Sequence, residues 1–264
     1  MTGPDFPKRF NATQNRLLAA LTPDELDRLS PQLQSVSLSL GESLHGFYCR
    51  PEYAYFPTSS VISLLYTMEN GDTAEMGIAG KDGIVNVASF LGGGMSPNRA
   101  TVQVAGGAFR IKTRALENEF AQAGVLQRVL LLYTQSLLTQ ISQTAVCNRL
   151  HPVEKRLCRW LLLTLDRVNY PELQMTQEFI AYHLGGRRES VTVAAGRLQD
   201  AGLIHYARGH IRILDRRALE QAACECYRVV RNEDDRLFGK IDKFSPSGIT
   251  ALQGFTGQQR KMPS

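Results

Sequence analysis

The residues best equipped for chemistry lie between 173 and 217. Arg187, Arg188, Glu189 and Ser190 stand in one run, preceded by Thr176 and Gln177 and followed by Thr192. An arginine can grip guanine O6 and N7 with a bidentate fork, and a glutamate can accept from cytosine N4 or brace a neighbouring arginine. Arg208 and Arg212, farther along, suit phosphate oxygens. This is the chemistry of reading a nucleic acid. The plain alternative is a solvated charged face on an ordinary pair of helices. Enzyme chemistry finds little support. No HExxH, no nucleophile elbow and no glycine loop opening a helix occurs. A metal-dependent cupin needs several His and a Glu converging, and His45 is the single His of the β-rich region.

Elements must hold those side chains in place. Thr176 is a helix N-cap, and Phe179, Ile180 and Leu184 line a helix of two to three turns. Gly185-Gly186 gives the turn. A second helix runs from about Arg187 to Ala201, with Val191, Ala194, Ala195 and Leu198 inward and Gly202 closing it. Leu203–Tyr206 and His210–Leu214 flank Ala207-Arg208-Gly209 as a small hairpin. Helix, turn, helix and hairpin make a winged helix-turn-helix, whose second helix presents its first turn to base edges.

Upstream, Thr22-Pro23-Asp24-Glu25 is a helix start. Short alternating runs then recur from about 33 to 113, split by turn signals such as Asn70-Gly71-Asp72, which implies a small antiparallel barrel or sandwich. From Arg114 the pattern turns helical. Leu126, Leu130, Tyr133, Leu137, Gln140, Thr144 and Cys147 step alternately by 4 and 3. That spacing describes a dimer seam, or else one face that covers the β unit. His151-Pro152 breaks the helix and is a hinge, and Asn169-Tyr170-Pro171 closes the helix after it.

This order resembles the Crp/Fnr family of bacterial transcription regulators. Thr176-Gln-Glu-Phe-Ile-Ala, Arg188-Glu-Ser-Val191 and Leu198-Gln-Asp-Ala-Gly-Leu-Ile204 carry the resemblance over about residues 12–225. It implies an α+β protein: a jelly-roll of the cyclic-nucleotide-binding type, a long dimerisation helix and a winged helix-turn-helix. It implies base reading by Arg188 and Glu189 and a backbone contact by Thr176. Val193 stands where many members carry another arginine, so their base preference does not transfer. The family's cyclic-nucleotide cassette corresponds to Gly83-Ile84-Val85 and Asn98-Arg99-Ala100. Ile84 replaces the glutamate that would hold a ribose, so ordinary cyclic AMP is not expected. Arg99 is either the contact for another phosphate, such as a cyclic dinucleotide, or a surface arginine at a strand end.

The expected domains are a sensor over 12–120, the dimer helix over 121–150, the winged module over 151–230 and a tail of low order over 231–264. With 264 residues, 43% hydrophobic and a net charge of +5, two packed domains fit and a polyanionic partner is allowed. No signal or membrane segment is evident, and five scattered cysteines fit a reducing cytoplasm. The first cysteine is Cys49, unlike the N-terminal cysteine groups of iron–sulfur sensors in the family. Cys224-x-Cys226 alone is too few ligands, so no metal, iron–sulfur cluster or haem is expected. Cys147 and Cys158 fall near the junction of the long helix and the DNA module, where buried apolar thiols are usually inert. The expected partners are double-stranded DNA, a second copy of the chain and, for an activator, RNA polymerase. The rival reading is a sensor that works through protein contacts, using the winged module as a docking surface.

Overall fold

A computed structural model describes residues 11–168 and 172–241. The expected break at 169–171 and residues 242–264 of the tail lie outside them. Local signals shape the start. Asn15 caps α1 (Arg16–Ala19), and α2 (Pro23–Leu29) opens with the reciprocal Thr22–Glu25 capping bonds that the sequence announces.

Seven strands follow: β1 (Gln34–Leu38), β2 (Ser43–His45), β3 (Tyr53–Pro57), β4 (Val61–Thr67), β5 (Thr73–Ala79), β6 (Arg99–Val104) and β7 (Gly106–Lys112). They pair antiparallel in two sheets, ordered β1-β7-β3 and β2-β6-β4-β5. Asn70-Gly71 makes the β4–β5 turn, with Gly71 at φ +89. Between β6 and β7 the chain changes sheet, and a Cβ on Gly106 would sit 2.6 Å from the Ser59 backbone, so the corner admits only glycine. The strand β2 is too short for alternation to reveal it. Phe56, Ile62, Leu64, Ile84, Val85, Phe90, Ala100, Val102 and Phe109 fill the space between the sheets.

After α3 (Thr113–Phe120), the helix α4 (Val125–Leu150) runs unbroken. Here the dimer-seam assignment is corrected. Leu126, Leu130, Tyr133 and Leu137 join the roll's own core. Gln140 is buried against the edge strand β5, accepting from Ile78 N at 2.6 Å and donating to Ile78 O. Thr144 accepts from Arg159 Nη1 at 3.0 Å. The 4-3 pattern reports the face that covers the β unit, which is the alternative the spacing left open. The outward apolar face is another one: Leu131 and Leu138, seven residues apart, are 46% and 59% exposed.

Pro152 is the N-cap of α5 (Val153–Arg167), in extended conformation. Then come β8 (Glu172–Gln174), α6 (Gln177–Leu184), α7 (Arg188–Asp200), β9 (Ile204–Ala207), β10 (His210–Ile213), α8 (Arg216–Ala222) and α9 (Glu225–Ile241). The wing is a three-stranded sheet, β8-β10-β9, rather than a bare hairpin. Low order from 231 is also corrected as far as 241, because α9 continues there and packs along α4. Its Asp234 accepts from Ser136, and its Glu233 accepts from Gln135 Nε2 at 3.0 Å.

A second apolar core, with Trp160, Leu161, Ile180, Val191, Leu198 and Ile211, holds the winged module together. A buried polar cluster fastens that module to the roll. Glu75 of β5 accepts from Trp160 Nε1 at 2.9 Å and from Ser63 Oγ at 2.5 Å, and it meets His183 Nδ1 of α6 at 3.0 Å. Gln103 extends the cluster to Thr164 at 2.9 Å.

Candidate nucleic-acid interface

The first helix of the pair is fixed by its cap: Thr176 Oγ1 accepts from Phe179 N at 3.1 Å. It ends at Gly185, whose φ of +59 is a left-handed conformation that glycine adopts without strain. The next helix starts differently. Arg187 is its N-cap and makes no side-chain cap bond. The first N–H groups of α7 are left without a side-chain acceptor, and such a terminus attracts anions. Arg187, Arg188, Glu189 and Ser190 are all exposed there. Val191, Ala194, Ala195 and Leu198 turn inward as the spacing predicts.

A groove of about 430 Å³ brings Thr176, Gln177, Arg188, Tyr206, Arg208 and Gly209 to one place. Thr192 of α7 donates to Gln177 Oε1 at 2.7 Å, tying the two helices together beside it. The wing tip projects through Arg208 at φ +51 and Gly209 at φ +80, the pair of positive angles of a type I′ turn. Arg212 is the exception among the predicted residues. It lies on the exposed face of the wing sheet opposite His205 and Glu172, outside the groove. Two residues escaped the sequence reading. Tyr206 lines the groove and donates to Met175 O at 3.0 Å. Arg197 is exposed on α7, 3.5 Å from Glu154. Tyrosine in a strand signals packing as readily as contact, which is why the first stayed hidden.

Residues 155–222 match the family model of the Crp-like helix-turn-helix domain. The C-terminal module is a Crp-like helix-turn-helix domain. The whole fold is similar to solved Crp/Fnr structures. FixK2 from Bradyrhizobium japonicum aligns at 17% identity and a TM-score of 0.61, over 73% of this chain and 98% of that one. A putative Crp/Fnr-family transcriptional regulator from Eubacterium rectale aligns at 17% and 0.60, over 79% and 98%. The c-di-GMP responsive global regulator CLP of Xanthomonas campestris aligns at 14% and 0.57, over 74% and 100%. No curated protein matches the chain. Residues 155–222 thus carry a Crp-like helix-turn-helix, within a chain whose fold is that of the solved Crp/Fnr structures. No helix among the described residues is long and apolar enough to cross a membrane.

In this Crp-like frame the cassette residues part company. Ile84 and Val85 are sealed in the roll core. Arg99 alternates with buried Ala100 and turns the other way, out of the roll. It donates to Tyr182 OH of α6 and lies 5.7 Å from the Phe47 ring centroid. Arg99 therefore bridges sensor and DNA module instead of facing a ligand inside the roll. Successive strand residues face opposite sides, so Arg99 points away from the face that buries Ala100. The Ser63, His183 and Glu75 cluster has the residue types of a hydrolytic triad without its geometry: Ser63 and Glu75 both meet Nδ1, and all three are buried.

The expectation of no metal ligands beyond Cys224 and Cys226 is corrected. The structure places Cys147 and His151, from the end of α4, beside them. The hydrogen bond with Cys147 holds the Cys224 thiol below the ordinary cysteine range. Burial pushes Cys158, which lies apart in the module's apolar core, up to about 12.

Proposed function

We propose that the protein is a homodimeric regulator that reads an inverted-repeat operator. The observation that carries this is the groove itself: Thr176, Gln177, Arg188 and Arg208 converge beside the exposed, uncapped first turn of α7. Arg188 and Glu189 discriminate bases, with Arg187 and Ser190 beside them. Thr176, Gln177 and Arg208 hold phosphates, and Arg212 reaches the backbone from the outer wing. The second copy docks on the outward face of α4, where Leu131 and Leu138 are exposed. Two-fold symmetry then sets two recognition helices in successive major grooves, about one helical turn apart. Ile84 and Val85, buried in the roll core, offer a ribose hydroxyl no side-chain acceptor, so the reading includes no cyclic AMP there.

Selection from random duplex DNA with purified protein and no added ligand tests this. A two-fold symmetric site should be enriched, and its affinity should fall steeply with salt as counterions are released. Failure to enrich any site, with or without cyclic mono- and dinucleotides, would overturn the reading.

A further inference from the structure

Four donors from distant parts of the sequence meet at the hinge. Cys147 and His151 lie one turn apart at the end of α4, so they share a face. Cys224 and Cys226 flank the start of α9. The sulfurs and ring nitrogens of these residues all lie within 4.8 Å of one another. Cys147 Sγ is 3.5 Å from Cys224 Sγ, and Cys226 Sγ is 3.6 Å from His151 Nδ1. A tetrahedral ion with bonds of about 2.3 Å to sulfur and about 2.0 Å to nitrogen sets its ligand atoms roughly 3.5–3.8 Å apart. A disulfide would need about 2.05 Å.

The surroundings suit such an ion. Cys147, Cys224 and Cys226 are 0%, 4% and 1% exposed, and they form a small cluster separate from both apolar cores. His151 Nε2, the nitrogen turned away from Cys226, faces Glu225 Oε2 at 3.5 Å. A carboxylate behind a ligating histidine fixes its tautomer and raises its basicity. Three thiolates and one imidazole around a divalent cation carry a net negative charge. The guanidinium of Arg159, 3% exposed, lies near Cys147 and Cys226 and complements that charge.

We propose that Cys147, His151, Cys224 and Cys226 form a closed structural site for a single Zn²⁺ ion. Soft sulfur donors select zinc over magnesium or calcium, and four protein ligands leave no open position for catalysis. An iron–sulfur cluster distributes its cysteines over several irons, whereas these donors crowd one point. Binding releases the thiol protons to solvent. The ligands bracket the Crp-like module: two precede it and two follow it. The ion therefore ties both ends of that module to one spot beside the His151-Pro152 bend, which limits how the module swivels on the sensor.

The reduced, metal-stripped full chain is titrated with Co²⁺ and then Zn²⁺. One equivalent of Co²⁺ should give the intense visible bands of a tetrahedral ion with thiolate-to-cobalt charge transfer, and one equivalent of Zn²⁺ should bleach both. Cys147→Ser should lose charge-transfer intensity, and Cys49→Ser should change nothing. Glu225→Gln, at an exposed position that does not threaten folding, should weaken Zn²⁺ binding about tenfold. A pale octahedral cobalt spectrum, no uptake by the folded parent chain, or a Cys147–Cys224 disulfide in protein handled without oxygen would overturn the proposal. None of these readouts depends on DNA binding.

Discussion

Between the two sheets, Ile84, Val85, Phe90, Ala100 and Val102 pack side chain to side chain. At the end of α4, Cys147, His151, Cys224 and Cys226 point donor atoms at one another. The first region occupies the place where the family resemblance puts a ligand, and it is filled with carbon. The second sits at the His151-Pro152 bend, which the sequence marks only as a hinge, and it gathers polar donors.

The sharpest way to break this contrast is to restore the missing acceptor. Ile84→Glu would place a carboxyl in the packed interior with no described partner. A buried charge without a partner is among the few changes that cost several kcal/mol. The expected loss is about 4 kcal/mol by urea unfolding, with no cyclic AMP binding by calorimetry. A stable variant that binds cyclic AMP would show that the interior is a pocket after all.

The joint between roll and winged module gives the next largest effect. His183→Ala leaves Glu75 buried with Ser63 and Trp160 but without the imidazole. Removing one member of a buried polar pair costs about 3 kcal/mol. The loss should appear as earlier unfolding of the winged module, read from Trp160 fluorescence. An unchanged transition would mean that the polar cluster does not hold the modules together.

How legible each region was follows from the reach of its signals. The winged module is written locally. Thr176 caps within three residues, Gly185 terminates one helix, and Gly202 closes the next with φ +71. The direction of the long helix's apolar face was legible too, but not its neighbour. Leu126, Leu130, Tyr133 and Leu137 would read the same against a second chain as against their own roll. The outward stripe was masked because Arg128, Gln135, Ser142 and Arg149 interrupt Leu131 and Leu138. The hinge cluster was illegible for a different reason. Cys147 and Cys224 are 77 residues apart, and only the return of α9 along α4 joins them. Reading 231–264 as a loose tail removed the element that makes the site.

The interface prediction is smaller and concerns DNA alone. Arg188→Ala should weaken operator binding by about 1–3 kcal/mol and relax one position of the site. Arg212→Ala, outside the groove, should weaken all sequences alike and reduce the salt slope by about one. Equal behaviour of the two variants in a binding-versus-salt series would erase the distinction between groove and outer wing.

The smallest effect tests what holds α9 on α4 at the end away from the cysteines. Burial there raises the Asp234 carboxyl from its ordinary 3.8 to about 6, against the favourable pull of Arg167 and with Asp82 adding to the rise. The folded state therefore binds this proton more tightly than the unfolded chain does. Stability from this group is present at low pH and falls as pH rises from about 4 to about 6, then levels off. Asp234→Asn keeps a partner for Ser136 and cannot titrate. It should flatten that part of the stability–pH curve and stabilise the protein at pH 7 by on the order of 1 kcal/mol. The same slope in parent and variant would mean that α9 is not pressed against α4 at this end. The hinge cluster would then have to hold the helix by itself.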